Sequence, residues 1–440
     1  SNTCGYTGAS NPGRKGKRSC TRRSRGVPGA SSDSGGPGSY NAACLCNRQV
    51  IQRSARRMKN NYQLAFVVSL FFEYGGMQRT LLRIALECVA RGHEVHVFTG
   101  GWHGEHPQGI HVHELDTRAL TNTGSNDKLA SMAMQRVAAG DYDCLVGFTK
   151  IPGLDVYYAG DPCYAARVDE TKNPLYKLLP RYRHLRRQEA AVFAHGLATE
   201  ILLITHAERE KFQHYYRTET ERFHLLPAGI NRARLASGVS GTRPGEQLRQ
   251  QLGIDAAAPV ILLVGSRFKT KGLDRALRAT AALPDALRRD VRLVVVGDDR
   301  RKPYIRLARR LGIEGNLIFT GSRDDIASCY HMADLLLHPP YSENTGTVLI
   351  EAMVCGLPVL TTENCGFAFH VDAAGAGLVC PMPFRQTDLN EKLAAMLTSG
   401  ERPAWARKGM EYCQRTDFYS LIEKAADVIL HTAQRNRQQQ

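Results

Sequence analysis

No stretch of the 440 residues is apolar for long enough to cross a bilayer. The longest run, Leu64 to Phe72, has nine residues including a serine, where a spanning helix needs roughly 20. The 12 cysteines lack the spacing of a zinc site, because no C-x2-C pair is followed by a second pair. Four of them (Cys4, Cys20, Cys44, Cys46) precede residue 57 and eight are scattered beyond it. Cys144, Cys355 and Cys380 sit in apolar segments, as buried thiols of a reducing compartment do, so a cytoplasmic location is expected. Acids are nearly missing from residues 1 to 57, which hold eleven Lys and Arg against Asp33 alone. The net charge of +10 in that segment supplies most of the chain's +16, and the body is only mildly basic. With nine Gly, nine Ser and almost no apolar periodicity, residues 1 to 57 cannot offset chain entropy by burial and are expected to be a disordered basic tail. No apolar region follows the charged Gly13-Arg-Lys-Gly-Lys-Arg18, which argues against a secretory signal. Sequence translated ahead of a start at Met58 explains the tail better than a nucleic-acid-binding arm, so no nucleic acid partner is expected.

The rest is globular in composition, 43% hydrophobic and 23% charged over the chain, and long enough for two domains. Gln63 to Leu70 reads as an apolar strand leading into Gly75-Gly76, after which Met77, Leu81, Ile84, Ala85, Cys88 and Val89 fall at helical spacing. Glu94 to Thr99 reads as the next strand, giving a right-handed βαβ unit. Further strands are expected at Cys144 to Phe148, Val156 to Ala159, Ile201 to Thr205 and Phe223 to Leu226. A second series follows Pro227-Ala228-Gly229: Val260 to Val264, Val291 to Val296, Leu317 to Thr320, Leu335 to His338 and Pro358 to Thr361. Unbroken Val/Ile/Leu runs are the mark of strands buried on both faces. The expected architecture is α/β, with two doubly wound parallel-sheet, Rossmann-like domains facing a central cleft. The boundaries are 58–228 for the first domain and 229–414 for the second, with a helix and tail at 415–440. The stripe of Phe418, Leu421, Ile422, Ala425, Ala426 and Ile429 suits either domain as a partner.

The most informative segment is His338-Pro-Pro-Tyr-Ser-Glu-Asn-Thr-Gly-Thr-Val-Leu-Ile-Glu351, where a strand ends, a polar loop follows and a helix is expected to start near Thr345. The N–H groups of Thr345, Gly346, Thr347 and Val348 would then have no partner inside the helix, and with its dipole they suit a diphosphate. Gly346 would let the phosphate come close. Glu351 lies one turn beyond Thr347 and has the acceptors for a ribose diol, while Glu343 and Asn344 on the loop reach the other end of such a ligand. The competing reading is a helix-start acid and a solvated one.

Two glutamates with seven residues between them, after a strand ending in His-Pro and before Gly356-Leu-Pro-Val-Leu360, resemble the retaining glycosyltransferases of GT-B fold, family four type. Gly75-Gly-Met-Gln-Arg79, Gly147-Phe-Thr-Lys-Ile-Pro-Gly-Leu-Asp155, Arg181-Tyr-Arg-His184, Gly265-Ser266 and Lys269-Thr-Lys-Gly-Leu-Asp-Arg275 are similar to one branch. That branch moves glucose from UDP-glucose to inner-core heptose of lipopolysaccharide in Gram-negative bacteria. The resemblance runs in register from Tyr62 to the C-terminal helix. It implies that Gly75 and Gly76 lie under the diphosphate, that Lys271 and Arg234 neutralise the departing phosphate, and that Glu343 serves the reacting sugar. It implies no cofactor and no metal, UDP-sugar being a co-substrate, and front-face attack without a carboxylate nucleophile. Asp155 and Asp161 are the candidates for orienting acceptor or sugar. Asp141-Tyr-Asp143 matches a metal pattern but precedes its strand, at the end opposite the cleft, and reads as a turn. Two positions depart from the branch: Thr80 stands where an acid is usual, and Phe367-Ala-Phe-His370 places the imidazole one residue late.

Between Glu170 and Glu189 there is no acid but six cations, Lys172, Lys177, Arg181, Arg183, Arg186 and Arg187, interleaved with Leu175, Tyr176, Leu178, Leu179 and Tyr182. Such a pattern suits an anionic membrane surface, which would keep a peripheral enzyme at the inner face of the cytoplasmic membrane. The expected partners are therefore UDP-glucose or a similar UDP-hexose, a lipopolysaccharide inner-core acceptor and that surface. Another hexose, another lipid-linked or glycan acceptor, or a sugar-isomerising reaction is the alternative.

Overall fold

A computed structural model describes residues 61–72, 75–236 and 244–439; the reading of residues 1 to 57 as a disordered tail, and the start at Met58, lie outside them. The described residues form fifteen strands interspersed with helices: β1 (Gln63–Val68), β2 (Phe71–Phe72), β3 (Glu94–Thr99), β4 (Trp102–His103), β5 (Ile110–Glu114), β6 (Cys144–Gly147), β7 (Val156–Ala159), β8 (Glu200–Leu203) and β9 (Phe223–Leu225) precede residue 229. After it come β10 (Val260–Val264), β11 (Arg292–Val296), β12 (Leu317–Gly321), β13 (Leu335–His338), β14 (Val359–Thr362) and β15 (Gly377–Cys380). The first sheet has seven strands in the order β5-β3-β1-β6-β7-β8-β9, the second six in the order β12-β11-β10-β13-β14-β15. All pairings are parallel. In each sheet the direction of growth reverses once, between β1 and β6 and between β10 and β13.

The apolar runs explain these sheets. Val260, Leu262 and Val264 enter one core and Ile261 and Leu263 another, because successive side chains leave a strand on opposite faces. Helices cover both faces, so every position of β10 is buried, at roughly 1.5–3 kcal/mol of stabilisation per large aliphatic side chain. The first sheet is treated alike: Phe66 and Val68 join one core, Ala65 and Val67 the other. β5 and β15 were not foreseen.

The last helix, Leu421–Gln439, returns to the first sheet. Its Leu421, Ile422, Ala425, Ala426 and Ile429 share a core with Leu64, Phe66, Leu81 and Ile84. Arg437 pairs with Asp143 at 2.5 Å and Arg435 with Glu200 at 2.7 Å. The two crossings between the halves lie side by side, with the Ile230 N–H donating to the Phe418 carbonyl at 2.8 Å. At Gly229 φ is +75°, and a Cβ there would stand 2.8 Å from Leu421 Cδ1, so this crossing requires glycine.

Candidate active site

In doubly wound sheets the ligand crevice opens at the carboxyl ends of the strands where the order reverses. In the second sheet that point lies between β10 and β13, and their two outgoing loops carry the motifs singled out above. The loops lock together. Gly272, at φ +75°, places the spot a Cβ would occupy 1.9 Å from the Pro339 carbonyl oxygen. The Tyr341 N–H donates to the Thr270 carbonyl at 2.8 Å, and Arg275 donates to the Pro340 carbonyl at 2.8 Å while lying over the Tyr341 ring.

This lock brings Lys271 to Glu343, and the ammonium and carboxylate form a close ion pair. Burial would raise the Glu343 pKa, but the His338 ring beside it and the Lys271 charge outweigh burial and hold it at about 2. His338 is fully buried, which lowers its own pKa, and its Nε2 stands 3.7 Å from Glu343 Oε2, beyond hydrogen-bond length. Both its ring nitrogens are buried without a hydrogen-bond partner among the described residues, an arrangement that a polar ligand group would relieve.

The helix begins at Thr347, two residues later than expected, and runs to Val354. Gly346 caps it in the left-handed region at φ +85°, and a Cβ there would meet Cys365 Sγ at 2.3 Å. Its lack of a side chain therefore accommodates the protein's own sulfur, a correction to the expectation that it makes room for phosphate. The Thr345 carbonyl accepts from the Phe367 N–H at 2.7 Å, so Thr345 belongs to the loop. The N–H groups of Thr347 and Val348 remain without intrahelical acceptors, whereas that of Leu349 donates to the Gly346 carbonyl at 2.9 Å.

Glu351 is buried one turn along. Its Oε2 accepts from the Tyr330 hydroxyl at 2.6 Å, and its Oε1 stands 3.7 Å from Arg234 Nη1. The structure thus pairs Arg234 with Glu351 and Lys271 with Glu343, instead of setting the two cations together. Nothing in the spacing of the sequence singles out Tyr330; burial, followed by the Glu351 charge, pushes its pKa well up.

The first sheet supplies the opposite wall. Asn344 Nδ2 donates to the Gly160 carbonyl, just past β7, at 2.8 Å. Tyr164, Arg167, Glu208 and Lys211 face Glu343, Asn344, Asn364 and Phe369 across a cavity of about 920 Å3. Gly75 caps the helix Gly76–Ala90 at φ −80°, and the place of its missing Cβ is filled by Gln78 and Phe72, whereas among the described residues nothing lies within 4 Å of a Cβ at Gly76. Gly76 alone of the pair leaves room for another molecule. Asp161 is exposed and lines a smaller cavity of about 270 Å3 with Ser69, Thr149, Lys150 and Arg167. Asp155 does not reach the cleft. It precedes β7, its Oδ2 accepts from the Leu145 N–H at 2.7 Å at the amino end of β6, and burial raises its pKa. It is a loop cap, which corrects its candidacy as an orienting residue. Asp143 accepts from the Gln63 N–H at 2.8 Å at the same end.

The basic stretch folds as a short 3-10 turn, Pro174–Leu178, and a helix, Pro180–Phe193. Leu175, Leu178 and Leu179 are 68%, 63% and 46% exposed, and Lys172, Lys177, Arg181, Arg183 and Arg187 are exposed beside them. Arg186 is not part of that face: its guanidinium lies 4.7 Å over the Tyr216 ring. Tyr176 and Tyr182 are half-buried around Tyr164. Glu189 anchors the helix from inside, accepting from Lys150 Nζ at 2.5 Å, the Tyr164 N–H at 2.9 Å and the Tyr216 hydroxyl at 2.5 Å. Burial opposes its ionisation, but Lys150 and these donors hold its pKa low. Of the two departures, Thr80 Oγ1 donates to the Gly76 carbonyl at 3.1 Å. His370 turns inward to Tyr412, 2.8 Å away, leaving Phe369 at the cavity; burial lowers the His370 pKa to about 4.

The family pattern described as "Glycosyl transferases group 1" matches residues 245–410 and that described as "Glycosyltransferase Family 4" matches residues 74–234. The lipopolysaccharide glucosyltransferase WaaG of Escherichia coli (strain K12) is 42% identical over 368 residues, 83% of this chain and 98% of that protein. D-inositol 3-phosphate glycosyltransferase of Salinispora arenicola is 25% identical over 372 residues, 76% of this chain and 78% of that protein. The crystal structure of WaaG, a glycosyltransferase involved in lipopolysaccharide biosynthesis, superposes with a TM-score of 0.78 over 83% of this chain and 99% of that one, at 42% identity. Anabaena Alr3699/HepE in complex with UDP-glucose shares the fold at 20% identity, with a TM-score of 0.62 over 86% of this chain and 99% of that one.

Proposed function

The chain belongs to the group 1 glycosyltransferases, in the family of the lipopolysaccharide glucosyltransferase WaaG, and on that footing we propose that it transfers glucose from UDP-glucose, with retention, to inner-core heptose of lipopolysaccharide. The observation that carries the reading is the pairing of Glu343 with Lys271 and of Glu351 with Arg234 on either side of a helix start at the switch point of the second sheet. A UDP-sugar matches that order of charges. Its ribose hydroxyls would meet the Glu351 carboxylate, its diphosphate the helix N–H groups, and its hexose hydroxyls the loop of Glu343 and Asn344 beside the unpartnered His338.

In the reaction the bond from the anomeric carbon to the β-phosphate oxygen breaks, and an acceptor oxygen bonds to that carbon on the same face. The acceptor's proton leaves with the phosphate, so no carboxylate nucleophile is needed. Charge grows on the departing phosphate, where Lys271, Arg234 and the helix dipole are most effective, being fixed beforehand. These groups do the work a divalent cation does in other transferases, so we propose a metal-independent reaction. Asp161, with Ser69, Thr149 and Lys150, occupies the acceptor side. The exposed leucines and cations at 172–187 would rest on an anionic leaflet, placing the enzyme at the inner face of the cytoplasmic membrane.

Incubation with UDP-glucose and a heptose-terminated core acceptor tests the reading. Release of UDP with the gain of one hexose on the acceptor, undiminished by chelator and faster than with UDP-galactose, is expected. Failure of UDP-glucose to support transfer while another UDP-hexose does so would overturn the donor; no transfer to the core acceptor from any UDP-hexose would overturn the acceptor.

A further inference from the structure

At the outer edge of the first sheet, β3 and β5 bring together four residues that the chemistry above does not use: Glu94, His96, His111 and His113. Parallel register sets His96 beside His111 and Phe98 beside His113. Side chains alternate along a strand, so Glu94, His96, His111 and His113 all leave the same face. Glu94 Oε1 lies 3.1 Å from His96 Nε2 and 3.8 Å from His111 Nε2. One donor atom from each of the three falls within 4.8 Å of the others, and no other group of His, Cys, Asp and Glu among the described residues converges in this way.

We propose that Glu94, His96 and His111 form a zinc site. Two imidazoles and one carboxylate are the donors of a three-ligand zinc centre that keeps a fourth position for water, whereas calcium and magnesium take oxygen donors. Tetrahedral coordination at zinc–nitrogen distances of about 2.1 Å separates ligand atoms by about 3.4 Å. The two separations from Glu94 bracket that value. The wider gap has to close by only about 0.4 Å, and the His111 side chain, 58% exposed, has the freedom to close it and leaves the fourth position open to water.

The groups behind the ligands are also in place. His96 Nδ1 is bonded to His113 Nε2 at 2.9 Å, and Glu94 Oε2 accepts from Gln63 Nε2 at 3.0 Å. The Tyr142 ring packs edge-on against His96 at 5.2 Å. Metal-ligating imidazoles and carboxylates characteristically have their remaining atoms held in this manner. A proton now joins His96 Nε2 to Glu94, and zinc takes its place, so binding releases a proton. Glu94 opens β3, far along the strands from the cleft at their carboxyl ends. Zinc there acts as a clamp: among the described residues β5 is an edge strand bonded only to β3, and the ion ties the two by side chains as well. Spacing along the chain carries no signal of a site assembled across two strands.

The test is titration of the chelator-treated full chain with zinc chloride, followed by calorimetry and thermal unfolding, with cobalt(II) absorption as the probe of tetrahedral geometry. The expected result is one zinc ion per chain, a tetrahedral cobalt spectrum, and a midpoint raised by roughly 3 °C at hundredfold excess over Kd. Magnesium should do nothing. His111→Gln, at an exposed position, should keep the fold and lose the ion, and His113→Gln should weaken binding about 10- to 100-fold. Replacing Cys4, Cys20, Cys44 and Cys46 by serine should leave zinc binding intact. Absence of saturable binding, binding unchanged in His111→Gln, or binding lost with the four serines would each overturn the site.

Discussion

Replacing Lys271 with methionine removes the cation from a carboxylate whose side chain is only 15% exposed. Glu343 titrates at about 2 in the folded chain against an ordinary 4.5. A carboxylate depressed in this way contributes stability that is complete above its unfolded pKa and is lost as pH falls through the folded one. From about 4.5 to about 2 the contribution is on the order of 3 kcal/mol at pH 7, similar to the roughly 3–5 kcal/mol lost when a buried pair is broken from one side. In Lys271→Met the His338 ring alone opposes burial, and the Glu343 pKa should rise. Part of the stability held by its low value is then missing at neutral pH, and the deficit shrinks on acidification. Urea unfolding of the parent and Lys271→Met should differ by up to about 3 kcal/mol near pH 7 and by clearly less at about pH 3. Adding Glu343→Gln to Lys271→Met should restore part of the loss, by about 1–3 kcal/mol of coupling. A gap that is the same at both pH values, or a double variant whose loss is the sum of the single ones, refutes the pairing.

Glu351→Gln should weaken UDP binding measured by calorimetry about 10-fold or more, while Tyr330→Phe, which removes only a hydrogen bond to the same carboxylate, should cost about 1–2 kcal/mol of stability and little affinity; equal effects of the two would contradict the ribose role. Gly346→Ala should destabilise by about 2 kcal/mol or more, since φ is +85° and the new methyl meets Cys365. Cys365→Ala in the same chain should recover the steric part in thermal unfolding, and no recovery would refute the contact. Changing Lys177, Arg181, Arg183 and Arg187 to Gln should release the protein from anionic vesicles, at about 1 kcal/mol per charge, with UDP affinity unchanged; sedimentation with vesicles as strong as the parent's would remove the membrane reading. Arg186 is left out of that set because it packs on Tyr216.

The strands of both sheets were legible where burial on two faces makes the chain uniformly apolar, as in β10 and β11. β5 escaped because Ile110-His-Val-His-Glu114 is an edge strand with three polar residues, and β15 because Gly377-Leu-Val-Cys380 is short and opens on glycine. The helix start was placed two residues early, since Thr345 has the chemistry of a cap while the left-handed turn falls on Gly346. Which carboxylates converge could be read from spacing at Glu343 and Glu351, both tied to one loop and helix. Asp155 directly precedes the strand expected at Val156, so the strand-end rule that excludes Asp143 excludes it too; Glu189 could not be read, because its partners Lys150, Tyr164 and Tyr216 come from three distant segments. The destination of the last helix was equally hidden, because an apolar stripe does not name its partner.

A crystal structure with UDP bound tests the central claim most directly. The diphosphate should lie against the N–H groups at the start of the Thr347–Val354 helix, with the ribose hydroxyls on Glu351 and Lys271 swung from Glu343 toward phosphate oxygen. Nucleotide bound anywhere else on the chain, or bound in the cleft without touching Glu351 and that helix start, would contradict the account.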